Sequence, residues 1–221
     1  MPNRRHFLQQ LAAAGLLTHC PALIRQALAA GNNPLIPGIH RIRGSVQINH
    51  QPARTGMLVR PGDTVVTGAG SEAIYVIGQD AYLQRDHSTV RFLGESLTGG
   101  LRILSGKLLS VFGRGDKTLQ TATATIGIRG TGCYIEAEAA RTYVCLCYGE
   151  ADYMPVAAPE KSMRLKTIHH ESPVWISGEN RNAPFTPAPM INHSDAELTL
   201  LELLVGRVPP FAELDRREGG Y

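Results

Sequence analysis

No stretch of this 221-residue chain approaches the roughly 18 consecutive apolar residues of a membrane-spanning helix, so no transmembrane segment is expected in the mature chain. Surplus charge is equally scarce. The net charge is only +3, and Arg4, Arg5 and Arg25, with no acid among residues 1–29, account for all of it. The rest of the chain offers no clustered basic surface of the kind phosphate backbones require, which excludes nucleic acid as an expected partner. Catalytic signatures are missing too. There is no Gly-x-Ser-x-Gly elbow, no phosphate-loop lysine behind the glycine-rich residues 128–132, and no calcium-loop spacing around Asp63, Asp80, Asp86 or Asp116. Tryptophan occurs once, at Trp175, where one large ring suits an anchor on apolar surface.

Glycine and proline, by contrast, are plentiful at 23 and 14 residues, a balance that favours turns and short strands over long helices. The N-terminus reads as an address. Arg4 and Arg5 are followed by His6, Phe7 and Leu8, then by a mildly apolar stretch over residues 11–17 and by Ala27, Leu28 and Ala29. A basic start, a short apolar segment and an Ala-x-Ala site make residues 1–30 a signal peptide, and the paired arginines resemble the twin-arginine signal of folded cargo. The mature protein is therefore expected in the periplasm or outside the cell.

From residue 44 to about residue 153, short apolar runs alternate with turn signals. Val46 and Ile48 alternate with polar neighbours, as one face of a half-buried strand requires. Pro61, Gly62 and Asp63, Gly78 with Asp80, and Gly99 with Gly100 separate this and later runs. Many short strands at such spacing imply a mainly β fold, a small two-sheet sandwich or a β-roll. Residues 154–193 are Pro-rich without a clean period and read as an extended tail. Ser194, Asp195, Ala196 and Glu197 have the spacing of a capping box, and the leucines after them predict a short helix over 194–205 ending at Gly206.

The run from Gly44 to Ala53, the stretch over residues 56–68 containing Arg60, Pro61, Gly62 and Asp63, and Thr121 to Thr131 with its Ile126-Gly127-Ile128-Arg129-Gly130 centre resemble the FecR domain family, over roughly half the chain. The resemblance implies a FecR-like β domain over 38–153, lying in the envelope and working as a non-catalytic binding, signalling or assembly module with a protein partner or ligand. Better-known members relay an iron-siderophore signal to a sigma factor through a cytoplasmic segment and a membrane helix. Neither feature is expected here, so direct sigma-factor regulation is not expected either.

Three cysteines remain beyond the leader, Cys133, Cys145 and Cys147, an odd number that cannot pair completely within one molecule. All fall on one expected hairpin that turns near residues 138–141. Cys145 and Cys147, two apart on a strand, face the same side. Whether Cys133 joins them depends on register, and the residues leave both registers open. His169 and His170, in the tail, offer imidazoles that could fold back over the hairpin. Thiolates with imidazoles are ligands for zinc, copper or iron. The alternative function is thus an exported metalloprotein with a site drawn from Cys133, Cys145, Cys147, His169 and His170. A structural disulfide with one spare thiol is the remaining reading of the same residues.

Overall fold

The computed structural model describes residues 34–94 and 100–213 together with Leu23. The signal peptide expected over residues 1–30, Leu23 apart, and the chain end beyond residue 213 lie outside the described residues.

The chain is mostly β. Its strands are β1 (Gly38–Arg43), β2 (Val46–Ile48), β3 (Gln51–Pro52), β4 (Thr64–Thr67), β5 (Glu72–Ile77), β6 (Asp80–Gln84), β7 (Ser88–Phe92), β8 (Leu101–Val111), β9 (Asp116–Gln120), β10 (Ala124–Ala137), β11 (Arg141–Pro155), β12 (Met163–Thr167), β13 (Val174–Ser177) and β14 (Phe185–Pro187). Among the described residues the α-helix α1 (Asp195–Leu204) follows them. The strands join into one open sheet with the path β14-β13-β11-β10-β9-β8-β7-β4-β2-β3, and β6 carries β5 and β1 off the edge of β8. Among the described strands every pairing is antiparallel except β8 with β9.

Burial separates two kinds of strand. β2, β4, β7 and β13 alternate buried and less buried residues, so each turns a single face inward. Val46, Val65, Val90, Ile103, Ile126, Leu146 and Ile176 meet there in one cluster drawn from distant strands, the inner core of a small sandwich. In β5, β6 and the adjoining ends of β10 and β11, buried residues run without a break. Those strands are covered on both faces. The second cover is α1, whose Leu198, Leu200, Leu201 and Leu204 form an outer core with Ile74, Leu83, Leu109 and Tyr134. Each such leucine contributes about 1.5–3 kcal/mol by leaving water.

The helix starts where its cap allows. Ser194 Oγ accepts from the Glu197 amide at 3.4 Å while Glu197 Oε2 accepts from the Ser194 amide at 2.9 Å, so the capping box is formed. Gly206, at φ +72°, succeeds the last turn in a conformation that suits glycine. Ser194→Ala is expected to destabilise the protein by about 1 kcal/mol, read as a shift of the urea midpoint at constant slope.

Residues 154–193 do more than trail over the domain. Met163 and Leu165 alternate with exposed Arg164 and Lys166 on β12, and Val174 and Ile176 alternate with Trp175 and Ser177 on β13, so these short segments extend the sheet beside β11. Four or five residues leave a weak period in a Pro-rich context, which hides such strands from sequence reading. No helix of the described residues is long and apolar enough to cross a membrane.

Candidate metal centre

The site grows out of the long hairpin of β10 and β11. Tyr134 stands opposite Cys145 and Cys133 opposite Leu146, but Gly132 is already opposite Tyr148. One step on β10 thus matches two on β11, and Cys147 is the extra residue of a β-bulge. The bulge leaves Cys147 and Tyr148 both in the outer core with Cys145. Cys133, Val144 and Leu146 belong to the inner core. Two glycines permit this geometry. A Cβ on Gly132 would lie 2.5 Å from the Tyr148 ring, and Gly149 has φ +101° with the Thr131 side chain 2.5 Å from where its Cβ would be.

Two further segments close over the cysteines. After β12 the Glu171 carboxylate accepts from the amides of Ile168 (2.6 Å) and His169 (3.0 Å), and His170 takes φ +57°. A left-handed, non-glycine residue is strained by about 1–3 kcal/mol and is held only where its surroundings fix it. Here the His170 amide donates to the Cys147 carbonyl at 2.9 Å, which sets the imidazole over the thiols. His193 arrives from the other side as the residue before the N-cap of α1. Its ring stacks on Tyr134 at 4.6 Å.

Four donor atoms converge: Cys145 Sγ, Cys147 Sγ, His170 Nδ1 and His193 Nε2, all within 4.8 Å of one another. Cys145 Sγ to His170 Nδ1 is 3.4 Å, Cys147 Sγ to His193 Nε2 is 3.5 Å, and the two imidazole nitrogens are 3.2 Å apart. A tetrahedron built on zinc–sulfur bonds of about 2.3 Å and zinc–nitrogen bonds of about 2.0–2.1 Å has S···N edges of about 3.5 Å and N···N edges of about 3.3 Å. The match is close.

The outer hydrogen bonds fix which atoms face inward. His170 Nε2 lies 2.8 Å from Asp195 Oδ1 and His193 Nδ1 lies 2.6 Å from the Ile191 carbonyl. Both partners are acceptors, so those nitrogens carry the hydrogens and neutral His170 Nδ1 and His193 Nε2 point lone pairs at each other. Lone pairs that close repel unless a cation, either a proton or a metal ion, sits between them. A carboxylate or carbonyl behind each imidazole is also the usual support of a metal-bound histidine.

The titration of the cluster has the same sense. The hydrogen bond with Cys147 draws the Cys145 thiol far below its ordinary range against the opposing effect of burial, and His170 and His193 add to it. Burial and the hydrogen bond with Cys145 push Cys147 up in turn. Burial resists protonation of His170, but Asp195 and Cys145 outweigh it and raise the imidazole to about 9. Asp195, desolvated in part, is nevertheless held low by His170 and His169. The interior of the cluster favours positive charge.

Of the five residues nominated from sequence, the structure brings Cys145, Cys147 and His170 together. Cys133 lies on the opposite face, where burial pushes its thiol up. His169 sits one layer out, 2.9 Å from Asp195 Oδ2 and stacked on Phe211. All three cysteines are free thiols. His193 was not among the nominees. Its signal was positional: it stands immediately before the capping box of a helix whose leucines must dock somewhere. Asp195→Asn, which removes the carboxylate behind His170 while keeping its shape, is expected to weaken zinc binding by about 10–100-fold in a chelator-competition titration.

No family model matches the sequence, and no curated protein matches it either. Among solved structures the chain is similar to two crystal structures of a candidate anti-sigma factor from Parabacteroides distasonis, at 1.65 and 2.50 Å resolution. Each has 13% identity and a TM-score of 0.47, covering 63% of this chain and 64% of that one. The chain thus spans less than two thirds of the length of those structures.

Proposed function

We propose that this protein is an exported, non-catalytic β module of the FecR-like type whose ligand is one transition-metal ion held by Cys145, Cys147, His170 and His193. The observation that carries the reading is the convergence of four donor atoms within 4.8 Å of one another, with outer hydrogen bonds that turn the lone pairs of both imidazoles inward. Zinc is the ion this donor set suits. Two thiolates and two neutral imidazoles around a dication leave no net charge in a buried site, a balance zinc shares with ferrous iron and copper(II), whereas copper(I) leaves one negative charge and ferric iron one positive. Of the dications, zinc is the one that takes a tetrahedron of sulfur and nitrogen without redox chemistry. Four protein ligands also complete a tetrahedron, and a structural zinc centre differs from a catalytic one in keeping no position for substrate.

The twin-arginine-type leader supports the same reading, because cargo that travels folded carries its metal across the membrane already bound. In the envelope the module meets a protein partner, in keeping with the motifs it shares with FecR domains. Elemental analysis of protein recovered from the envelope without chelators tests the proposal. About one zinc per chain is expected, absent from a Cys145→Ala/Cys147→Ala variant. Metal-free protein that folds as stably as protein incubated with zinc would end it.

A further inference from the structure

Resting on that reading of the site, we infer that the metal ion is the latch holding two pieces of chain, residues 168–170 and 188–205, against the outer face of the sheet, so that losing the metal uncovers that face. The four ligands come from three separate pieces of chain. Cys145 and Cys147 stand on β11, in the middle of the sheet. His170 belongs to the turn after β12, and His193 leads directly into the N-cap of α1. A shared ion therefore ties both covering pieces to one central strand.

The helix draws on the ion in addition to its own packing. It has ten residues, below the length at which a helix is stable alone in water, so leaving the sheet means unwinding. Beyond its leucines, polar contacts reach it from several segments. Arg85 bonds Glu197 at 2.7 Å, Arg207 and Tyr148 engage Glu202, and the Leu35 amide donates to the Leu204 carbonyl. Ahead of the cap, residues 188–193 are joined to the domain by hydrogen bonds: Ala188 to the Pro173 carbonyl, Tyr143 with Pro189 and Ile191, Arg85 to the Asn192 carbonyl, and Asn192 to Glu136. His193 is where that stretch joins the sheet.

The surface beneath is apolar. Ile74, Val76, Leu83, Leu109, Val111 and Tyr134 form a continuous buried surface under the helix. Metal occupancy thereby becomes a control on whether that face is covered by the helix.

Hydrogen exchange of the mature protein, read by mass spectrometry with the chain zinc-loaded or chelator-stripped, tests this. At free zinc about 100 times the dissociation constant, an opening that breaks the site becomes about a hundredfold rarer. Amides of residues 195–205 are expected to exchange about a hundredfold more slowly with zinc, while the short strands over residues 46–67 keep their rates. Bound zinc together with helix exchange that is equally slow without it would overturn the latch and leave the site standing. Failure of zinc to bind at all would remove both.

Discussion

Cys147→Ala is expected to reduce bound zinc from about one per chain to near zero and to erase the thermal stabilisation zinc provides, whereas Cys133→Ala leaves both intact. The two residues are alike in type and burial and lie on adjacent strands of one hairpin. They differ only in face. Cys147 belongs to the outer core beside Cys145, with its sulfur 3.5 Å from His193 Nε2, while Cys133 packs in the inner core with Ile135 and Leu146. An ion present at about 1,000 times its dissociation constant stabilises the folded state by about 4 kcal/mol. For a domain of this size that corresponds to a rise of about 8–16 °C in Tm. Calorimetry on the two variants, with and without zinc, reads the contrast. A wild-type-sized zinc response in Cys147→Ala would place the metal elsewhere.

Gly149→Ala is expected to destabilise the fold by about 2–6 kcal/mol, through two separate causes. The residue has φ +101°, outside the range of ordinary L side chains, and its new Cβ would lie 2.5 Å from Thr131 Cγ2 and 3.1 Å from the Gly130 carbonyl. Backbone strain contributes about 1–3 kcal/mol and the crowding a similar amount. Gly70→Ala separates the two, because Gly70 has φ +58° with nothing within 4 Å of the added carbon. Only the conformational part, about 1–2 kcal/mol, is expected there. Urea unfolding of both variants measures the difference. Because Gly149 sits two residues beyond Cys147, Gly149→Ala is also expected to weaken zinc binding, and Gly70→Ala is not.

The inner sheet face could be read from the chain because it is written in period two. Val46 and Ile48, or Val90 and Phe92, alternate with polar neighbours, and glycine and Asp63 mark the turns between. The helix was equally plain in its cap. The metal cluster was only half visible. That Cys145 and Cys147 share a side is a consequence of the strand, but the face taken by Cys133 depends on the hairpin register, which sets it opposite Leu146 and which the residues left open. Adjacent His169 and His170 look alike in sequence, and the left-handed backbone at His170 decides which one turns inward. His193 lies 46 residues from Cys147 and reaches it only because α1 docks on the outer face, a tertiary event. The same docking explains the unbroken burial of β5 and β6, which one-sided alternation does not anticipate.

X-ray absorption at the zinc edge of metal-loaded protein looks straight at the proposed ligand set. Two sulfurs at about 2.3 Å and two imidazole nitrogens at about 2.0–2.1 Å are expected around each ion. A shell of oxygen and nitrogen alone, with no sulfur scatterer, would mean that β11 and the two segments folded over it do not hold the metal.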